Sequence, residues 1–130
     1  MINQNNSTPV LKITDFQDKS LIIVDDDDPL RGRLSRAMEK KGFVVKEAKS
    51  VKEGLELAKT NPPSFAVVDL RLEDGNGLDV VKELHKAKKD SRIVMLTGYG
   101  NLPTAVAAVK AGAIDYLSKP VDADDVEAAL

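Results

Sequence analysis

The sequence predicts an α/β fold, a parallel five-stranded sheet between two layers of helices, and three observations lead there. Five short β-rich runs alternate with segments of helical period from Leu21 onward. The central runs are apolar at every position rather than every second one, as strands covered on both faces must be. Four of the five runs end in a polar residue, at the edge where open α/β sheets bind their ligands.

The elements follow in order. Asn, Gln and Ser dominate the first eight positions, so residues 1–18 read as a flexible leader, in which Val10 to Ile13 has the composition of a short extra strand. Leu21-Ile22-Ile23-Val24 is the first strand. The helix after it begins at Pro29 with Asp28 as N-cap and Asp27 facing solvent; Leu30, Leu34, Ala37 and Met38 share its inner face and Gly42 stops it. Phe43-Val44-Val45 is a second, edge strand, since Lys46 and Glu47 follow. Ser50-x-x-Glu53 is a capping box that opens a helix with Val51, Leu55 and Ala58 inward, ended by Asn61-Pro62-Pro63.

Phe65 to Val68 forms the third strand, closed by Asp69, and the loop Leu72-Glu73-Asp74-Gly75-Asn76-Gly77 leads to a helix carrying Leu78, Val81 and Leu84. Ile93 to Leu96 is the fourth strand and ends at Thr97. A helix from Leu102 points Ala105, Val106 and Val109 inward and stops at Gly112. The fifth strand, Ile114 to Leu117, ends in Ser118-Lys119-Pro120. Asp122 caps a last, truncated helix with Val126, Ala129 and Leu130 on one side.

Composition narrows the function. The chain has 130 residues, 42% hydrophobic, enough for one domain with one core. Nineteen Lys and Arg against 21 Asp and Glu give a formal charge of −2 with no basic stripe to track phosphates, so direct nucleic-acid binding is not expected. Absence of cysteine removes disulfides, thiol nucleophiles and Cys-type metal sites. No run approaches the roughly 18 apolar residues of a membrane span and no signal-peptide pattern opens the chain, so a cytoplasmic protein without membrane contact is expected. Gly98-Tyr99-Gly100 lacks the third glycine of a dinucleotide fingerprint, and the sole histidine, His85, reads as an exposed helical residue that is neither ligand nor phosphodonor.

The four consecutive aspartates Asp25 to Asp28 raise an electrostatic problem, because two carboxylates about 4 Å apart repel by roughly 4 kcal/mol at an effective dielectric near 20. In the 2-1-3-4-5 strand order, adopted from flavodoxin-like sheets rather than read from the residues, the first and third strands are neighbours. Asp25, Asp26 and Asp69 then converge, with Thr97 and Lys119 beyond them. Such a hard, oxygen-rich pocket suits Mg²⁺, which takes one or two carboxylates together with phosphate oxygens. Asp69, closing the central strand, is the candidate nucleophile, with an aspartyl phosphate as product.

Val24-Asp25-Asp26, Asp69 with the glycines beyond it, Thr97-Gly98 and Lys119-Pro120 resemble the signature set of the receiver domain of two-component response regulators, over residues 19–130. The resemblance implies that Asp69 accepts a phosphoryl group from a sensor histidine kinase. It implies Mg²⁺ bound by Asp26, Asp69 and the Arg71 backbone carbonyl, with Asp25 acting through a water. It further implies that Lys119 pairs with the phosphoryl group, that Lys119-Pro120 is cis, and that Thr97 and Tyr116 form the switch. Arg71 and Tyr99 occupy positions that tune dephosphorylation. Homodimers form in that family through the fourth helix, fifth strand and last helix. The segments 33–43, 97–120 and 122–130 are more narrowly similar to the PrrA/RegA/ActR redox-type global regulators, which carry a C-terminal helix-turn-helix output domain; DNA contact would come only through such a domain, absent from these residues. Glu73 departs from the family, where a proline is common, and puts the rigidity of that loop in question.

Two other readings stand beside this one. A Mg²⁺-dependent phosphohydrolase would use Asp25-x-Asp27 as its nucleophile motif, and a phosphorylation-independent interaction module would need none of the acidic set.

Overall fold

The computed structural model describes residues 18–98 and 102–130. The expected leader, apart from Asp18, its Val10–Ile13 strand and Tyr99 lie outside the described residues. The five expected strands are β1 (Ser20–Val24), β2 (Val44–Ala48), β3 (Phe65–Asp69), β6 (Arg92–Thr97) and β7 (Asp115–Ser118). They form one parallel sheet in the order β2-β1-β3-β6-β7, which is the expected 2-1-3-4-5. A two-residue antiparallel pair, β4 (Arg71–Leu72) with β5 (Gly75–Asn76), is added in the loop after β3.

Strand alternation divides the core between the two faces. Leu21 and Ile23 of β1 pack with Phe65, Val67, Val94 and Leu96 under α1 (Asp28–Lys40) and α5 (Ala123–Ala129), which contribute Leu34, Met38 and Val126. Ile22, Val24, Ala66, Val68, Ile93 and Met95 face the opposite way, under α2 (Val51–Thr60), α3 (Gly77–Ala87) and α4 (Leu102–Ala111). Two covered faces explain why these strands carry no polar alternation. On the first face Phe43 meets Phe65 edge to face, ring centroids 5.2 Å apart.

Four details correct the sequence expectations. Asp27, not Asp28, caps α1: its carboxylate accepts the Leu30 N–H at 3.0 Å, and Asp28 lies in the first turn, paired with Arg31. Strand β2 begins at Val44 and runs through Lys46 and Glu47 to Ala48, an edge strand tolerating charge on its open side. Helix α4 buries Ala108 and Ala111, leaving Val106 and Val109 exposed at 42% and 58%. Ile114 is outside β7 and 45% exposed, so that strand starts one residue late. Ser50 caps α2 as expected, its Oγ accepting the Glu53 N–H at 3.1 Å, while Glu53 reaches back to the Lys49 N–H at 3.0 Å, one residue before the amide a capping box would pair.

Candidate metal centre at the strand ends

The site is assembled by three consecutive neighbours in the sheet. Asp25 leaves β1 with its N–H still donating to Ala48 O at 3.0 Å, and only 1% of its surface is exposed. Asp69 is the last residue of β3, 6% exposed, its register partner Leu96 being the residue before Thr97. Thr97 ends β6 at 1% exposure and its carbonyl accepts the Lys119 N–H at 2.7 Å, which locks the lysine beside the β6 terminus. The Lys119-Pro120 peptide is cis, as the resemblance implied.

Carboxylate oxygens of Asp25, Asp26 and Asp69 lie within 4.8 Å of one another. Lys119 Nζ stands 3.0 Å from Asp25 Oδ2 and 3.4 Å from Asp69 Oδ2. The first contact is an ion pair to a carboxylate that is itself almost fully buried. Burial and the Asp25 charge push the Asp69 carboxyl up to about 6, against the pull of Lys119. Burial opposes the charge on Lys119, but Asp25 and Asp69 outweigh it and raise the ammonium above its ordinary value. Three clustered carboxylate oxygens form the ligand chemistry of a hard divalent cation.

The four aspartates separate by function. Asp25 Oδ1 accepts the Asp27 N–H at 2.9 Å while Asp27 caps α1 and Asp28 pairs with Arg31 at 2.7 Å. Asp25 and Asp26 alone join the cluster with Asp69. Asp27 is turned to the helix, so the Asp25-x-Asp27 pair required by a phosphohydrolase is not assembled. Arg31, which sequence reasoning did not single out, binds the Asp25 carbonyl at 2.8 Å and Glu47 at 2.9 Å. Its i,i+3 relation to Asp28 was visible in the sequence, but its contact with Glu47 across the sheet was not.

Tyr116 lies opposite Met95 in the β6–β7 ladder, two residues before Thr97 on the same sheet face, and packs against the α2–α4 side of the core. Arg71 sits in β4, two residues beyond Asp69. Asp74, also missed, accepts the Val51 and Lys52 N–H groups of α2 at 2.8 and 3.1 Å. No local pattern announces a cap that arrives from 22 residues away. His85 does not lie on an open face: its ring packs beneath Gly112, and its Nδ1 is buried without a hydrogen-bond partner among the described residues.

With this geometry in hand, comparison with known proteins is specific. The family model described as the response regulator receiver domain matches residues 21–130. The photosynthetic apparatus regulatory protein RegA of Cereibacter sphaeroides is 63% identical over 113 residues, which are 87% of this chain and 61% of that protein. The acid tolerance regulatory protein ActR of Sinorhizobium medicae is 54% identical over 134 residues, covering all of this chain and 69% of that one. The chain thus spans about three fifths of the RegA length. Among solved structures, a response regulator of Burkholderia pseudomallei with a phosphorylated aspartic acid, calcium ion and citrate superposes with a TM-score of 0.83 at 40% identity, over 87% of this chain and 66% of that one.

Proposed function

The chain belongs to the response regulator receiver domain family, and from that membership we propose that Asp69 is its phosphoacceptor, charged by a sensor histidine kinase. The observation that carries the proposal is the Lys119 ammonium standing within 3.4 Å of both Asp25 and Asp69 at the carboxyl edge of the sheet. An Asp69 oxygen attacks phosphorus, the bond from phosphorus to the donor breaks, and the donor leaves with that electron pair. The attacking group is a carboxylate, so no proton has to be removed from it. Lys119 and the Thr97 hydroxyl hold the oxygens of the incoming group in this reading.

Asp25, Asp26, Asp69 and the Arg71 carbonyl are the residues we assign to Mg²⁺. When bound, the ion supplies charge neutralisation for the phosphoryl oxygens. The cluster of three carboxylates supports this assignment. The solved relative whose description pairs a phosphorylated aspartic acid with a calcium ion supports it further.

Phosphorylation then biases a two-state equilibrium through Thr97 and Tyr116. We assign the readout to the face of α4, β7 and α5, where a homodimer forms on phosphorylation; the apolar side chains of Leu102, Val106 and Val109, exposed on α4, support that surface. Residues 19–130 are the receiver domain in this reading, and control of transcription runs through an output domain, since relatives are named as regulatory proteins. No helix among the described residues is long and apolar enough to cross a membrane.

Mass measurement after incubation with acetyl phosphate and Mg²⁺ tests the proposal. Wild type is expected to gain one phosphoryl group and Asp69→Asn none; no adduct at saturating donor overturns it.

A further inference from the structure

The loop between Asp69 and α3 is held at its base and at its tip by different means. At the base, Gly77 N–H donates to Leu70 O at 2.7 Å, and the Gly77 Cα sits so close to the Asp69 carbonyl that a Cβ there would be 2.0 Å from the oxygen. At the tip, Glu73 stands where a proline would stiffen the chain, and stiffness has to come from elsewhere. Asp74, the next residue, reaches across to helix α2 and accepts two backbone N–H groups, from Val51 at 2.8 Å and from Lys52 at 3.1 Å.

These amides are among the first donors of α2, which have no partner inside the helix. Ser50 Oγ takes a third, that of Glu53. The end of α2 therefore has one cap from its own sequence and one from the phosphoacceptor loop. Helix α2 in turn shares one core cluster with Val24, the residue before Asp25, and with Val80 of α3: a Cβ at Gly54 would be 3.2 Å from Val80 Cγ1 and in ordinary contact, 3.4 Å, with Val24 Cγ1. The two backbone bonds hold the Asp74 carboxyl below its ordinary range, so it accepts them in its charged form.

We propose that Asp74 is a positioning residue that latches the loop after Asp69 onto the N-terminus of α2, and so sets Arg71 and Asp69 in register with the β1 aspartates for divalent-cation binding. The inference rests on the phosphoacceptor reading for its metal ligands. The latch replaces a covalent stiffener with a charged tertiary cap, and it acts through Arg71 and Asp69 without touching the phosphoryl group.

The test compares Asp74→Ala with Ser50→Ala, which removes the other cap of the same helix without touching the loop. In metal-free protein, Asp74→Ala is expected to speed amide exchange at Val51, Lys52 and Gly77, and by calorimetry to weaken Mg²⁺ binding on the order of tenfold. Ser50→Ala is expected to lower the melting temperature while leaving Gly77 exchange and Mg²⁺ affinity at wild-type values. Asp74→Asn, which keeps one acceptor oxygen, should fall between wild type and Asp74→Ala and serves if the alanine variant does not fold. Wild-type Mg²⁺ affinity in Asp74→Ala, or an equal loss in Ser50→Ala, overturns the latch. A wild-type chain that binds Mg²⁺ yet takes no phosphoryl group overturns the phosphoacceptor reading, and the exchange and calorimetric results still decide the latch.

Discussion

Lys119 and Asp25 form an ion pair 3.0 Å long in which the carboxylate is almost fully buried and the lysine is about one quarter exposed. The same ammonium reaches Asp69 at 3.4 Å, so one cation offsets two charges at the ends of β1 and β3. Removing it leaves Asp25 buried and uncompensated, the costly half of breaking a buried pair. Lys119→Met, which keeps the aliphatic stem, is expected to destabilise the protein in EDTA by about 2 kcal/mol, less than a fully buried pair because solvent reaches the lysine. Saturating Mg²⁺ should restore part of the loss. Urea denaturation with and without the metal measures both, and an unchanged midpoint in EDTA would refute the counter-ion role.

Asp26 is expected to have the opposite sign. It belongs to the carboxylate cluster and helps raise the Asp69 carboxyl, and its repulsion is not needed for folding. Asp26→Asn should stabilise metal-free protein by about 1 kcal/mol and weaken Mg²⁺ binding at the same time. Thermal melts in EDTA together with calorimetric titration check it; a lower melting temperature in EDTA contradicts the repulsion argument.

The raised Asp69 carboxyl gives metal-free protein a pH dependence of defined direction. A carboxyl near 6 in the folded chain against 3.8 when unfolded binds its proton more tightly in the folded state. The stability it contributes is therefore complete below about pH 4 and lost as pH rises through about 6. The groups facing it, Asp25, Asp26 and Lys119, all stay with it in the comparison with Asp69→Asn. In EDTA, the stability of wild type relative to Asp69→Asn should fall by about 2 kcal/mol between pH 4 and pH 7. A difference that is flat, or that grows with pH, would rule the raised carboxyl out.

Two glycines near the site make a controlled contrast. A Cβ at Gly77 would lie 2.0 Å from the Asp69 carbonyl oxygen, whereas at Gly98 nothing among the described residues lies within 4 Å. Gly77→Ala has to move the backbone of Asp69, the proposed phosphoacceptor, and a loss of about 3 kcal/mol with impaired phosphorylation is expected. Gly98→Ala should change stability by less than about 0.5 kcal/mol. Equal effects of the two substitutions in chemical denaturation would remove the steric account.

What the sequence revealed and what it concealed divide by distance along the chain. Strand positions, the Ser50 cap and the glycine helix stops are local patterns, and β1, α2 and Gly112 appear where periodicity and capping rules put them. Asp25, Asp26, Asp69, Thr97 and Lys119 were legible because each sits at a strand end, and in a parallel sheet every such end reaches the same edge. Helix faces were harder. In α4 nearly all positions are apolar, so hydrophobicity could not separate the buried Ala108 and Ala111 from the exposed Val106 and Val109. Choosing between Asp27 and Asp28 as cap needed the backbone, since either can serve before a proline. Asp74 on α2 and Arg31 on Glu47 are tertiary contacts with no periodic signature.

His85 belongs with these tertiary contacts, and its partner offers the last test. Gly112 has φ +122°, a conformation favouring glycine, and it ends α4 directly above the imidazole. A Cβ there would stand 2.6 Å from His85 Cγ and 2.7 Å from His85 Cβ. Gly112→Ala thus combines backbone strain with a collision against α3, about 3 kcal/mol together. His85→Ala removes the ring's share of the collision but keeps the Cβ contact and the strain, so the double variant should recover no more than about 1 kcal/mol relative to the sum of the single losses. A denaturant double-mutant cycle measures this coupling. Strict additivity would mean that the histidine does not support the turn and that φ alone selects glycine at the end of α4.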